Sequence, residues 1–300
     1  MLKKALIKYY FKKEKSYFAE YNCRKSIYYL DKILTLDKDN VDALLFKGID
    51  YAYLSDKENS MRCFDEAFKI DPGNLKICFK KAIALYHLNE FSSSKELFEK
   101  LLEYFPDFVP ILNYIGQCYI NLDDYDCALR YFNEALKYDE KNIEILVNIA
   151  GCYHDLGRYD EALAYLNKSL TFDSKNSLIF AQFSNVYMHT GDYKSANRYI
   201  DLALEQQPED LALQISKNLI LAYLGKNTES VEGFQKIKEG YFDDNGIIQL
   251  WYLYFGKALN AMGNSDEALN IFDEYLAKYS FLSDEIEKEK DKILKLNMVE

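Results

Sequence analysis

Helix breakers are scarce in this chain: 12 glycines and 4 prolines among 300 residues. So few over such a length argue against a turn-rich fold and for long helical content. Positive charge is short as well. Lys and Arg number 37 against 48 Asp and Glu, a formal charge of −11. That balance disfavours a general role on nucleic acid, whose phosphates want a basic surface. No run of about 18 apolar residues occurs, so no segment reads as a membrane span. The N-terminal "MLKKALIKYYFKKEK" is basic but lacks the continuous apolar stretch of a secretion signal.

Other absences narrow the chemistry. Cys23, Cys63, Cys78, Cys118, Cys127 and Cys152 form no CxxC pair, and their spacings fit neither a zinc site nor a small stapled domain. They read as reduced, buried thiols of a cytoplasmic protein. GxSxG, GxxxxGK[ST] and HExxH are missing, and no nucleophile–base pair is visible. No enzymatic activity, metal or cofactor is expected.

What is present is a period of 34. "NYIGQCYINLDDYDCALRYFNEALKYDEKN" (113–142), "VNIAGCYHDLGRYDEALAYLNKSLTFDSKN" (147–176) and "AQFSNVYMHTGDYKSANRYIDLALEQQPED" (181–210) superimpose without a gap at that offset. The phase defines blocks starting at 7, 41, 75, 109, 143, 177 and 211, and an eighth at 249 after a four-residue slip near "DNGI" (244–247). Counting columns from 1 to 34 within a block, Pro72, Pro106 and Pro208 share column 32, and Gly157, Gly191, Gly225 and Gly263 share column 15. Gly48, Gly116 and Gly256 share column 8. Column 20 is small in every block: Ser26, Ser60, Ser94, Ala128, Ala162, Ala196, Ser230 and Ala268.

These columns have a physical reading. Leu112, Ile115, Tyr119 and Leu122 lie three or four residues apart, on one helix face. In other blocks the column 15 Gly can take the left-handed conformation that ends such a helix. Ala128, Phe132 and Ala135 form the stripe of a second helix, and small residues at columns 8 and 20 let the two approach closely. A hairpin of this kind cannot bury its face alone, so hairpins must stack.

The pattern resembles the tetratricopeptide repeat (TPR) family. Leu146, Gly157, Tyr159, Ala162 and Leu166 carry the resemblance in the fifth block, with Tyr119, Tyr153 and Tyr187 in column 11 and Tyr125, Tyr159 and Tyr193 in column 17. It covers about residues 7–282. The first block departs from it at Tyr21, where the turn Gly belongs, and the seventh at Gln214, Lys217 and Asn218. The resemblance implies an all-α fold: a right-handed α-solenoid of about eight tandem helix-turn-helix repeats, one domain over 1–300. The segment 283–298 is expected to be a C-terminal capping helix, with Ser283 as N-cap and a narrow stripe of Ile286, Ile293 and Leu294.

The resemblance also implies that the first helix of each hairpin lines a groove that binds partner peptides. Helical spacing puts columns 2, 5, 6, 9, 12 and 13 on that face. In the first three blocks they hold Lys8, Lys12, Lys15, Lys76 and Lys80, opposed by Asp42. Phe11, Phe18, Leu45, Phe46, Ile49, Phe79, Ile83 and Tyr86 sit among them. This zone suits an acidic, partly apolar segment. Blocks four to six carry Asn113, Tyr114, Gln117, Asn148, Gln182 and Asn185, whose amides can bond an extended backbone. Blocks seven and eight are mostly apolar, with Ile215, Leu219, Leu250, Leu253 and Tyr254.

Some TPR co-chaperones hold a terminal carboxylate with a clamp of Lys, Asn and Arg. Lys76 and Lys80 match its basic positions, but Phe11, Lys15 and Phe46 stand where Lys, Asn and Asn are needed. Asn148 matches in blocks four to six, where Leu178 and Gln182 replace the basic residues. No register completes the clamp. His87, His154 and His189 fall in columns 12 or 13; His154 and His189, beside Asp155, are expected to approach each other at the groove's lip. "DDNG" (243–246) lacks the ligand spacing of a calcium loop and reads as a turn absorbing the slip.

The expected function is therefore a scaffold or adaptor that binds a protein segment or helix in the groove. The alternative is a regulatory sensor that changes shape on binding a peptide or small molecule, with Gly240 and Gly246 as hinge points. RNA binding is disfavoured by the acidic charge. Ten Lys and Arg against five Asp and Glu in 1–40 leave room for peripheral contact with an anionic membrane.

Overall fold

The computed structural model describes residues 2–20, 22–240, 245–279 and 284–297, and every regular element among them is an α-helix. The helices group into two compact units, Met1–Cys152 and Tyr153–Glu300. The first unit holds α1 (Leu2–Ala19), α2 (Cys23–Leu36), α3 (Val41–Tyr53), α4 (Lys57–Ile70), α5 (Leu75–His87), α6 (Phe91–Leu102), α7 (Val109–Asn121) and α8 (Tyr125–Tyr138). Helix α9 (Ile143–Asp155) runs across the division. The second holds α10 (Tyr159–Leu170), α11 (Ser177–His189), α12 (Tyr193–Gln206), α13 (Leu211–Tyr223), α14 (Asn227–Gly240), α15 (Asn245–Ala261), α16 (Ser265–Lys278) and α17 (Asp284–Asn297). None of the described helices is long and apolar enough to cross a membrane.

Within each unit, odd and even neighbours pack as hairpins. The helices start where the sequence supplies caps: Asn40, Asp56, Asp124 and Asp192 each accept a backbone N–H from the first turn. First helices stop at column 15. Gly157 has φ +72° there, and Ser55, Asn89 and Asp123 adopt the same left-handed turn at φ 58°, 61° and 58° without being glycine.

Close approach inside a hairpin depends on the small columns. Ser60 Oγ donates to the Gly48 carbonyl at 2.7 Å and Ser94 Oγ to that of Ala82 at 2.8 Å. Ala128, Phe132 and Ala135 are fully buried, as expected. Leu122 differs: it caps α7 and stays 39% exposed.

The seventh repeat is repaired locally. Asn218 is buried against Gly233, whose missing side chain makes the room. Lys217 leaves the core to pair with Asp201 at 2.6 Å and Asn197 at 2.7 Å. Helix α15 begins at Asn245, so Asn245 and Gly246 are helical rather than part of a turn, while 243–244 lie outside the described residues. Gly240 is the last residue of α14. In α17, Ile286 and Ile293 are buried as expected, but Leu294 is exposed. Tyr21 and Ser283 lie outside the described residues.

Candidate peptide-binding groove

Phenylalanines from successive first helices meet in the N-terminal unit. The ring of Phe11 on α1 stands 6.2 Å from Phe46 on α3, and Phe79 on α5 stands 5.8 Å from Phe98 and 5.9 Å from Phe108. Lys80 bridges the gap: its ammonium sits 5.7 Å from the Phe46 ring and 5.9 Å from that of Phe79. Burial holds the Lys80 pKa below its ordinary value, and the Lys76 charge adds to the effect against Asp42. Lys76 is itself neutralised by Asp42 at 2.6 Å. Lys8, Lys12 and Lys15 are exposed along α1.

Not every residue assigned to this face remains on it. Ile83 is 8% exposed and packs with Phe98, Ile111 and Ile115. Leu45 and Ile49 are buried against Phe64 and Ala67. Adjacent first helices pack on one another as well as on their own partners, so part of the face opposite the hairpin stripe becomes core.

The amide zone of this unit is largely bonded to itself. Asn148 Nδ2 donates to Asn113 Oδ1 at 3.0 Å, and Asn113 Nδ2 donates to Glu144 Oε1 at 2.7 Å. Gln117 Nε2 reaches the same carboxylate at 3.1 Å. Glu144 is the residue the sequence reading missed, although it stands in column 2 and its charge among amides was visible. Tyr114 stacks on Phe98 with centroids 5.0 Å apart. Burial, reinforced by Tyr53 and Glu144, pushes its hydroxyl up to about 12.

In the C-terminal unit, His154 Nε2 and His189 Nδ1 stand 2.9 Å apart, and His154 Nδ1 lies 2.8 Å from Asp155. His189 Nδ1 also lies 3.0 Å from the Asn185 carbonyl. One neutral arrangement satisfies all three: His154 donates from Nδ1 to Asp155, and the His189 Nδ1–H is shared between His154 and Asn185. Gln182 is half-buried midway along α11. Among the described residues, no group of three or more His, Cys, Asp or Glu is arranged to hold a metal.

The apolar third zone is mostly interior, since Ile215, Leu219 and Leu253 are buried in one core with Trp251 and Ile293. One pocket that stays open, of about 330 Å³, is lined by His189, Tyr193, Tyr223, Tyr254, Lys257 and Glu289 among others. Glu289 on α17 faces Lys257 at 3.5 Å and its own Lys292 at 2.6 Å.

Tetratricopeptide repeat models match residues 79–142, 120–179, 155–219 and 252–280, more than half the chain. The chain belongs to the tetratricopeptide repeat family. Solved TPR structures agree. A tetratricopeptide repeat protein from Parabacteroides merdae ATCC 43184 has a TM-score of 0.66 at 16% identity, over 85% of this chain and 98% of that one. PilW, a type IV pilus biogenesis factor, has a TM-score of 0.56 at 17% identity, over 68% and 94%. The Cut9–Hcn1 structure of the APC/C has a TM-score of 0.63 at 14% identity, over 95% of this chain and 55% of that one. At such identities the likeness is one of fold, that of an all-α TPR solenoid. No curated protein sequence matches the chain.

Proposed function

We propose that this TPR protein is a cytoplasmic, non-catalytic scaffold that binds an acidic, partly apolar protein segment along the first helices of its N-terminal unit. The observation that carries this reading is Lys80. Its ammonium lies between Phe46 and Phe79 from neighbouring repeats, partly stripped of water, with no carboxylate in ion-pair reach among the described residues. A carboxylate from a partner supplies the missing charge, and the flanking rings supply contact area. The self-bonded amides favour side-chain recognition at the lysines over backbone bonding at Asn113 and Asn148.

Titration of a fluorescein-labelled Asp/Glu-rich peptide containing leucine tests it. Lys76→Glu combined with Lys80→Glu weakens binding more than tenfold at low salt, and rising salt weakens the wild type. Unchanged affinity in the double variant rejects the reading.

The pocket beside α17 favours a second function, a regulator that senses a ligand in its C-terminal unit. A small ligand seated between Tyr223 and Lys257 would slow amide hydrogen exchange in α17; peptides that saturate the protein yet leave α17 unchanged count against it.

A further inference from the structure

The turn between α6 and α7 breaks a rule its counterparts keep. Asn40, Asn74, Asn142, Asn176 and Asp210 each precede a first helix, and each side chain accepts a backbone N–H from it. Phe108 holds that place before α7 and makes no cap hydrogen bond. A stabilising cap is therefore absent, and the ring that replaces it stays 44% exposed. Phe105 in the same turn is 43% exposed. The two rings, with Leu75, Phe79 and Ile111, wall a slot of about 260 Å³ whose lining is almost wholly apolar and carries one charge, Lys76 at the rim.

Phe108 packs edge-on against Phe79, but the fold gives up a cap and leaves two rings half wetted to obtain that contact. The slot is also continuous with the site of Lys80, because Phe79 is a wall of both. Asp42 pairs directly with Lys76, so Lys80, which feels Asp42 only at longer range, is the cation beside the slot without an ion pair among the described residues. Apolar surface and an unpaired ammonium thus stand one residue apart on α5.

We propose that this slot docks one aromatic or long aliphatic side chain of a protein segment, with an acidic side chain one or two residues away meeting Lys80. The proposal rests on the groove reading above and adds a specificity position to it. An apolar residue without a nearby carboxylate leaves Lys80 unmatched, and a carboxylate without the apolar residue leaves the slot wet.

Two fluorescein-labelled peptides separate the two readings: four acidic residues around a central phenylalanine, and the same peptide with a central serine. Wild type binds the phenylalanine peptide about tenfold more tightly, the order expected for burying one large side chain. Phe108→Asn restores a capping residue, so folding is retained while one wall is lost. Phe105→Ser removes the other wall outside both helices. Each variant abolishes the tenfold preference and leaves serine-peptide affinity unchanged, whereas Lys80→Gln weakens both peptides alike. Equal, measurable binding of both peptides to wild type overturns the slot and spares the groove. A preference that survives both phenylalanine variants also overturns the slot. Binding of neither peptide overturns both readings.

Discussion

The ring of Phe132 lies across Gly116, its Cε1 2.5 Å from where a β-carbon on residue 116 would stand. Gly48 meets Phe64 in the same way at 2.7 Å, and Gly256 meets Phe272. In these three repeats the glycine of column 8 leaves the space that the column 24 ring fills.

Gly116→Ala should therefore destabilise the N-terminal unit despite alanine's better helix propensity. Overpacking of a fully buried ring costs on the order of 1–3 kcal/mol, against a propensity gain of about 1 kcal/mol. Urea unfolding followed by circular dichroism measures the balance. Adding Phe132→Leu to Gly116→Ala should recover much of the loss, and its failure to do so would remove steric contact as the cause.

Column 15 gives a prediction of opposite sign. Ser55 and Asp123 hold φ near +58°, where a β-carbon is strained, and the equivalent Gly157 has open space around it. Ser55→Gly should raise stability by about 1 kcal/mol, and Asp123→Gly and Asn89→Gly by less because Asp and Asn tolerate the left-handed region. Gly157→Ala should cost a similar amount. Melting temperatures of the four variants test the set.

Stability should fall as pH rises from acid to alkaline because of two carboxyls in the first two repeats. Glu14 occupies column 8 and Asp50 column 10, positions that are uncharged in every other repeat, and both are buried. Glu14 Oε2, both Asp50 oxygens and Ser26 Oγ have no hydrogen-bond partner. Burial pushes Glu14 up to about 7 against the opposing charge of Lys15. Burial, with the Glu14 charge beside it, pushes Asp50 up to about 7; Ser26 and Cys23 offset this without reaching hydrogen-bond geometry. Both groups hold protons more tightly folded than unfolded. Their contribution is intact below about pH 4 and is lost as pH rises through about 7. Asp50→Asn should stabilise the protein at pH 8 by on the order of 2 kcal/mol and change little at pH 4. An identical pH profile for wild type and variant in chemical denaturation would rule this out.

Thiol reactivity should divide four to two. Cys23, Cys63, Cys118 and Cys152 are buried, while Cys78 and Cys127 are partly exposed. Burial pushes the first three up to about 11, which removes thiolate as well as access. An aromatic disulfide reagent on the native protein should titrate two thiols quickly and four only on unfolding. Cys78→Ser should abolish one fast equivalent.

The hairpins, their caps and their buried stripes could be read from residues alone because each depends on spacing within a helix or between close neighbours in one repeat. Repetition at 34 residues multiplied the signal, so even a degenerate seventh block kept its phase. The compensation at Asn218 was not readable, since it depends on Gly233 in the partner helix. The groove was legible only as a set of columns. Which members of those columns stay free is set by side chains from the next repeat: Asp42 neutralises Lys76, Glu144 gathers Asn113 and Gln117, and the packing of α5 against its neighbours hides Ile83. Lys80, clasped between two rings and unmatched in charge, and Phe108, standing where a cap belongs, acquire their meaning the same way. Helical periodicity assigns a residue to a face, but burial, pairing and rotamer arise from contacts between helices about 34 residues apart, and those exist only once the chain has stacked.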